Sequence, residues 1–184
     1  MKRLLFTAIT ALSVTIMSPL VPGWSQAPKE NDRHDFSKVT DEEFAKMAAQ
    51  MNLLETELGT KAQSSAQRAD VKQFGKQMVV DHTNASTHLL ASALVKRIAL
   101  PTKLDAKHQA EFDRLSALQG DAFDRAYVQQ MVKGHHLATQ LYQHEASNGN
   151  DSDLKAYAAQ ILPTVRQHHQ KAQQLWKDNF ENSR

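Results

Sequence analysis

Phe74-Gly75-Lys76-Gln77-Met78-Val79-Val80-Asp81-His82 is echoed 53 positions later by Tyr127-Val128-Gln129-Gln130-Met131-Val132-Lys133-Gly134-His135. Residues four apart on a helix stand one above the other, so each phrase stacks an aromatic ring, a methionine and a histidine on one face. Each phrase thus carries an imidazole into an apolar stripe, and a buried imidazole needs a hydrogen-bond partner or a metal. Two such stripes in one chain point to helices packed on one another around a polar core network or a metal site.

The same period extends outward from both phrases. Thr40-Asp41-Glu42-Glu43 has the form of a capping box, and Phe44, Met47, Met51, Leu54, Leu58 and Ala62 then recur at three- and four-residue steps. This predicts a first helix from about 41 to about 66. Asp70 is the expected cap of a second helix, with Val71, Phe74, Met78, His82, Ala85, Leu89 and Ala93 on one side and Pro101 as its stop. A shorter helix is expected from Asp105 through Phe112, Leu115 and Leu118 to Gly120. Asp121 then caps a long helix bearing Phe123, Tyr127, Met131, His135, Ala138 and Tyr142. Ser147-Asn148-Gly149-Asn150-Asp151 makes a turn with a new cap, and Leu154, Ala158, Ile161, Val165, Ala172 and Trp176 mark the last helix. No sustained alternation of period two argues for a strand.

Four long helices in two short-loop hairpins, joined by a segment with its own short helix, describe an all-α four-helix bundle. A long crossover makes it ferritin-like. An up-down bundle with an added helix fits the same spacing.

The first residues read as a targeting segment. Lys2 and Arg3 precede an apolar run from Leu4 to Met17, too short for a comfortable membrane span, which Pro19 and Pro22 interrupt. Residues 1–27 are therefore the expected signal peptide, with cleavage between 23 and 27. Residues 28–39 are a polar, flexible leader, 40–178 the bundle domain and 179–184 a tail. An exported, periplasmic or outer-membrane-associated protein follows, with no membrane span once the signal is gone. There is no cysteine, which excludes disulfides and a lipidated cysteine anchor. Without Lys2 and Arg3, Lys+Arg falls from 22 to 20 against 20 Asp+Glu. A formally neutral chain argues against nucleic acid as a partner.

Projection of the helices places particular polar side chains in the apolar arcs. Glu55 sits in the seam of the first helix and Glu57 off it. Asp81 and His82 flank the Met78–Ala85 line, and His168 and His169 straddle the Val165–Ala172 line. Asp124 lies near the Met131 line too, but about three turns from His135, so the two cannot share an ion. His82, His135 and His168, with Glu55, Glu57 or Asp81, are the candidate ligands of a Zn²⁺, Fe²⁺ or Cu²⁺ ion. Adding Met78 and Met131 would suit Cu⁺. Asp124, Tyr127 and His169 are the candidate supporting polar residues.

The alternative is that these are core histidines satisfied by Asp81, Asp124, Glu55 or Tyr127, and that the methionines fill space. A carboxylate-bridged di-iron centre needs Glu-x-x-His on two helices. Val79, Val132 and Val165 stand where those acids belong. His34, His88, His108 and His144 read as solvent-facing or flanking. No phosphate loop, nucleotide fingerprint or nucleophile elbow occurs, so the chain reads as non-catalytic.

Glu55-Thr56-Glu57-Leu58-Gly59, the Phe74–His82 phrase, Ala99-Leu100-Pro101, Phe123-Asp124-Arg125-Ala126-Tyr127, Met131 with His135, and Leu162-Pro163-Thr164 with His168 together resemble domain-of-unknown-function family 4142. The resemblance covers about 40–178 and implies an exported bacterial ferritin-like bundle with no established activity. It favours Glu57 over Glu55 as the family's acid, whereas projection favours Glu55. The family's second phrase ends Asp-His, so Gly134 is a departure that implies a weaker His135 half. The first reading is a helical bundle with a buried histidine–carboxylate cluster holding one transition-metal ion, in a sensing, buffering or stress-protective role. The second is a structural or interaction protein of the envelope with no metal.

Overall fold

In the computed structural model, residues 34–181 are described; the expected signal segment and residues 28–33 of the leader lie outside them. The described residues form five α-helices and no strand: α1 (Asp41–Ser65), α2 (Ala69–Lys96), α3 (Ala106–Ser116), α4 (Gly120–Asn148) and α5 (Ser152–Trp176). A π-helical turn, Lys177–Glu181, follows α5, and residues 182–184 of the expected tail lie outside the described residues.

Two long hairpins, α1 with α2 and α4 with α5, pack so that α1 lies against α4 and α2 against α5. The start of α4 stands beside the α1–α2 turn, since Asp124 accepts from the backbone amides of Gln67 and Arg68. The α4–α5 turn stands beside the start of α1, where Asn150 and Asp151 donate to Asp41. α2 and α4 therefore run parallel, and the chain between them climbs the length of the bundle through α3. This is the four-helix bundle with one long crossover, rather than the up-down alternative.

The ends follow local chemistry, with some departures. Thr40 and Glu43 make the full capping box on α1. Asp105 and Asp151 cap α3 and α5 as expected. Asp70 is not the N-cap of α2: Arg68 holds that place without a side-chain cap bond, Asp70 accepts from the Val71 amide, and Asp124 from α4 accepts from the Gln67 and Arg68 amides just ahead of the helix. α2 stops at Lys96, before Pro101, because Arg97 turns left-handed (φ 58°). Gly120 begins α4 rather than ending α3, and its φ of 61° suits a residue without Cβ. α5 continues through Pro163 without a break.

The inner face of α1 is wider than the expected stripe: Phe44, Leu54, Leu58 and Ala62 are buried as expected, and small and polar residues join them. Ala45, Ala48, Ala49, Asn52, Glu55 and Gly59 are buried, whereas Met47 and Met51 are half-buried at its edge. Small residues win the inner face because α1 and α2 approach closely there. A Cβ on Gly59 would stand 2.7 Å from the Gly75 carbonyl oxygen, and one on Gly75 would stand 2.7 Å from Ala62 Cβ. Phe36, within the expected leader, is buried with Phe44 and Leu154. Phe180, in the expected tail, packs on Trp176 beneath Arg125.

The apolar interior is split in two. One cluster gathers Leu58, Val71, Phe74, Met78, Phe123, Tyr127 and Met131. The other gathers Phe44, Leu89, Leu141, Tyr142, Leu154, Tyr157 and Val165. Each long helix passes through both, and between them it places a polar residue.

Candidate metal centre

Those polar residues are Asn52 of α1, His82 of α2, His135 of α4 and His168 of α5, all buried. Their shared level follows from the α1–α2 crossing. Asn52 lies seven residues before Gly59, and His82 lies seven residues after Gly75. In antiparallel helices both travel about 10 Å from the crossing in the same direction. The three imidazole centroids are 5.6 Å (His82–His135), 5.5 Å (His82–His168) and 5.2 Å (His135–His168) apart.

Each ring is held by one nitrogen. His82 Nδ1 lies 2.9 Å from Asn52 Oδ1, His135 Nδ1 lies 3.0 Å from the Met131 carbonyl, and His168 Nε2 lies 2.8 Å from Asp81 Oδ2. All three partners accept, so the held nitrogen carries the proton and donates it. The other nitrogen of each neutral ring then bears a lone pair. Those atoms, His82 Nε2, His135 Nε2 and His168 Nδ1, are buried and have no hydrogen-bond partner. One ligand atom from each histidine lies within 4.8 Å of those of the other two.

Burial holds all three imidazoles below the usual histidine range. The His135 ring falls to about 3, also pressed by His168, and His82 is pushed well down by burial and both neighbours. His168 is lowered by burial as well, against the upward pull of Asp81. Three neutral rings that leave buried lone pairs unsatisfied fit a metal ion better than a self-contained hydrogen-bond network.

The other candidates separate from this group. Asp81 orients His168 and also accepts from Gln77, so it holds a ring of the triad in place. Glu55 is enclosed, with its carboxyl lifted to about 8 by burial and Oε2 unpartnered. Glu57 is half-buried. Among the described residues neither joins the three-histidine group. Asp124 secures the α1–α2 turn, and Tyr127 stacks on Phe123 at 5.6 Å in the neighbouring apolar cluster. His169 pairs with His136 at 5.5 Å, outside the triad. Met78 and Met131 are fully buried in the apolar cluster. Gly134 does not deprive His135 of a partner, because Met131 provides one. A Cβ there would come within 3.1 Å of Glu55 Oε1, so the glycine leaves room for that carboxyl.

Asn52 is absent from the sequence-derived set. Its signal was the spacing Ala48, Asn52, Glu55, Gly59, which follows the inner face set by small residues rather than the line of large ones.

The chain belongs to the family described as Domain of unknown function (DUF4142), which matches residues 25–175. A comparison with curated proteins gives no match. Similar folds occur in a DUF305 fragment from Deinococcus radiodurans (TM-score 0.66, 14% identity, covering 75% of this chain and 95% of that one). They also occur in CopM in its Cu(I)-bound form (TM-score 0.64, 14% identity, 78% and 99%) and its Cu(II)-bound form (0.63, 16%, 76% and 97%). Among the described residues no helix is long and apolar enough to cross a membrane.

Proposed function

We propose that this chain is an exported, non-catalytic protein that holds one transition-metal ion, copper first among the candidates, in a buffering, sensing or stress-protective role. His82 Nε2, His135 Nε2 and His168 Nδ1 would be its ligands. The observation that carries this reading is three buried rings, each with one unpartnered nitrogen, that bring a ligand atom apiece within 4.8 Å of one another. Unfilled, those nitrogens are acceptors that the fold has desolvated without return.

A three-nitrogen set suits Cu²⁺ and Zn²⁺, and an imidazole site binds Cu²⁺ more tightly than Zn²⁺ on the general ordering of divalent ions. The likeness to copper-bound CopM supports copper only by analogy of fold. Metal–imidazole bonds are about 2 Å long, so the rings need to draw inward only slightly to share an ion. Asn52, the Met131 carbonyl and Asp81 would keep each ring in its ligating tautomer.

The test is uptake by untagged protein. One equivalent of copper is expected, lost in His82→Ala, His135→Ala and His168→Ala. At a free-ion concentration of 100 times Kd the wild type gains about 2.7 kcal/mol of stability. Absence of uptake of copper, zinc and ferrous iron, or uptake equal in all three variants, rejects the reading.

A further inference from the structure

The triad is not sealed. A cavity of about 200 Å³ reaches it from the α2–α5 side and is bordered by His82 and His168 together with the residues that orient them, Asn52 and Asp81. His135 does not line it. The residual exposures agree, 8% for His82 and 6% for His168 against 1% for His135, while the unpartnered nitrogens themselves stay buried. Ala85, Ala138, Ile161 and Val165 form apolar walls, and the exposed Asn84 and His88 stand at the outer end.

Resting on the metal reading, we propose that this cavity binds one small monoanion that coordinates the ion at the position the three histidines leave open. Three protein ligands with an open position are the arrangement of exchangeable sites, whereas structural sites close with four. Charge selects the class of ligand. Three neutral imidazoles bring no charge to a divalent ion, and Asp81 brings one negative charge, hydrogen-bonded to His168. One positive charge remains in a partly desolvated site, where an unpaired charge is costly. A monoanion balances it and a dianion overshoots. Volume limits the size: water occupies about 30 Å³ in the liquid, so a ligand of a few non-hydrogen atoms fits and a peptide or nucleotide does not. The apolar walls favour a weakly hydrated anion over a strongly hydrated one.

Azide and cobalt make the test direct, since Co²⁺ absorption responds to coordination number. Protein loaded with one equivalent of Co²⁺ is titrated with azide, and in parallel with neutral imidazole. A saturable one-to-one spectral change with azide is expected, with imidazole weaker. Ala85→Leu, which narrows the cavity from α2, should keep its cobalt and bind azide about tenfold more weakly or worse. Asn84→Trp, at an exposed position at the outer end, should slow the azide reaction without altering the metal stoichiometry. Cobalt bound with no azide response overturns the inference and leaves the metal reading standing. An azide response equal in both variants and wild type overturns the placement in this cavity, and imidazole binding as tightly as azide overturns the charge argument. Failure of the wild type to take up cobalt, copper or zinc overturns the metal reading and this inference with it.

Discussion

Asp81 Oδ2 lies 2.8 Å from His168 Nε2 on the opposite helix, not against its sequence neighbour His82. The Asp-His pair in the first phrase therefore serves two different rings of one cluster. α2 contributes one ring of the cluster with His82 and fixes the tautomer of another helix's ring with the preceding residue. Asp81→Ala should leave His168 free to reorient and weaken metal binding about 10–100-fold. Asp81→Asn, which keeps an acceptor but loses the charge, should fall between. Competition against a chromophoric chelator measures both, and an Asp81→Ala variant that binds like wild type contradicts the orienting role.

Asn52 does for His82 what Asp81 does for His168. Its Oδ1 accepts the Nδ1 proton at 2.9 Å. Asn52→Leu leaves that buried N–H without an acceptor, a loss of about 1–3 kcal/mol in urea unfolding of the metal-free protein. Metal affinity should drop as well. Asn52→Asp keeps an acceptor of nearly the same shape and makes the ring more basic, so it should bind metal at least as well as wild type. Equal metal affinity in all three proteins would mean that His82 needs no anchor.

Without metal, the triad makes the fold acid-sensitive. The folded pKa values of His82, His135 and His168 lie below the ordinary value, His135 at about 3, mainly through burial. The unfolded chain titrates near 6.5 and so binds more protons than the native state below that point. The contribution is present in full above about pH 6.5 and is lost as pH falls from there toward about 3. Unfolding midpoints of metal-free protein should therefore fall between about pH 6.5 and 5, and His135→Leu should show a shallower fall. Parallel profiles for the two proteins would contradict the buried, neutral state of His135.

The helices and the triad were legible in the sequence because both rest on the 3.6-residue period. His82, His135 and His168 each follow an apolar residue by three or four positions, and one long-range fact, the bundle, brings them to one level. The acid was harder. The stripe through Phe44, Met51, Leu54 and Leu58 puts Glu55 inside and Glu57 off the face, as the structure has them, but the buried face of α1 also takes in Ala48, Asn52 and Gly59, and neither acid joins the triad. Large residues mark a buried face only where helices stand at ordinary separation. Where Gly59 meets Gly75 the backbones close in, and small residues take the interior. Asn52 carries no large-residue signal for the same reason. The pairing of Asp81 with His168 has no local signal at all, because its partners are 87 residues apart and meet only through packing.

Gly59 and Gly75 test that account. Glycine in a helix interior costs about 1 kcal/mol relative to alanine, so Gly→Ala stabilises wherever there is room. Here a Cβ meets backbone or a packed Cβ at 2.7 Å, and overpacking of that kind costs about 1–3 kcal/mol. Gly75→Ala should therefore be destabilising and should also loosen metal binding by shifting His82 against Asn52. Gly134→Ala meets a carboxyl oxygen at 3.1 Å and the Gln130 amide at an ordinary 3.9 Å, and should be near neutral or better. A Gly75→Ala protein as stable as Gly134→Ala would show that the α1–α2 crossing has room to spare.

Glu55 gives the last test, with a pH dependence opposite in sign to that of the histidines. Burial raises its folded pKa to about 8, so the native state holds a proton that the unfolded chain, titrating near 4.5, has already released. Its contribution to stability is full below about pH 4.5 and is lost as pH rises through about 8. In the unfolded chain the triad histidines titrate around 6.5, a contribution that wild type and a Glu55 variant share, so the difference between the two proteins from about pH 6.5 to 8 reads the carboxyl. Glu145 adds to the fall, since burial beside Asp41 and Asp151 raises it to about 7. Glu55→Gln keeps the shape and has no proton to lose. Its stability relative to wild type should grow across that range by an amount on the order of a few kcal/mol, and the fall due to Glu145 should remain. Gly134→Asp, which sets a second carboxylate against Glu55, should steepen the wild-type fall. A Glu55→Gln protein with the same slope as wild type between about pH 6.5 and 8 would mean that Glu55 is ionised in the native state, and would reopen it as a charged neighbour of the metal.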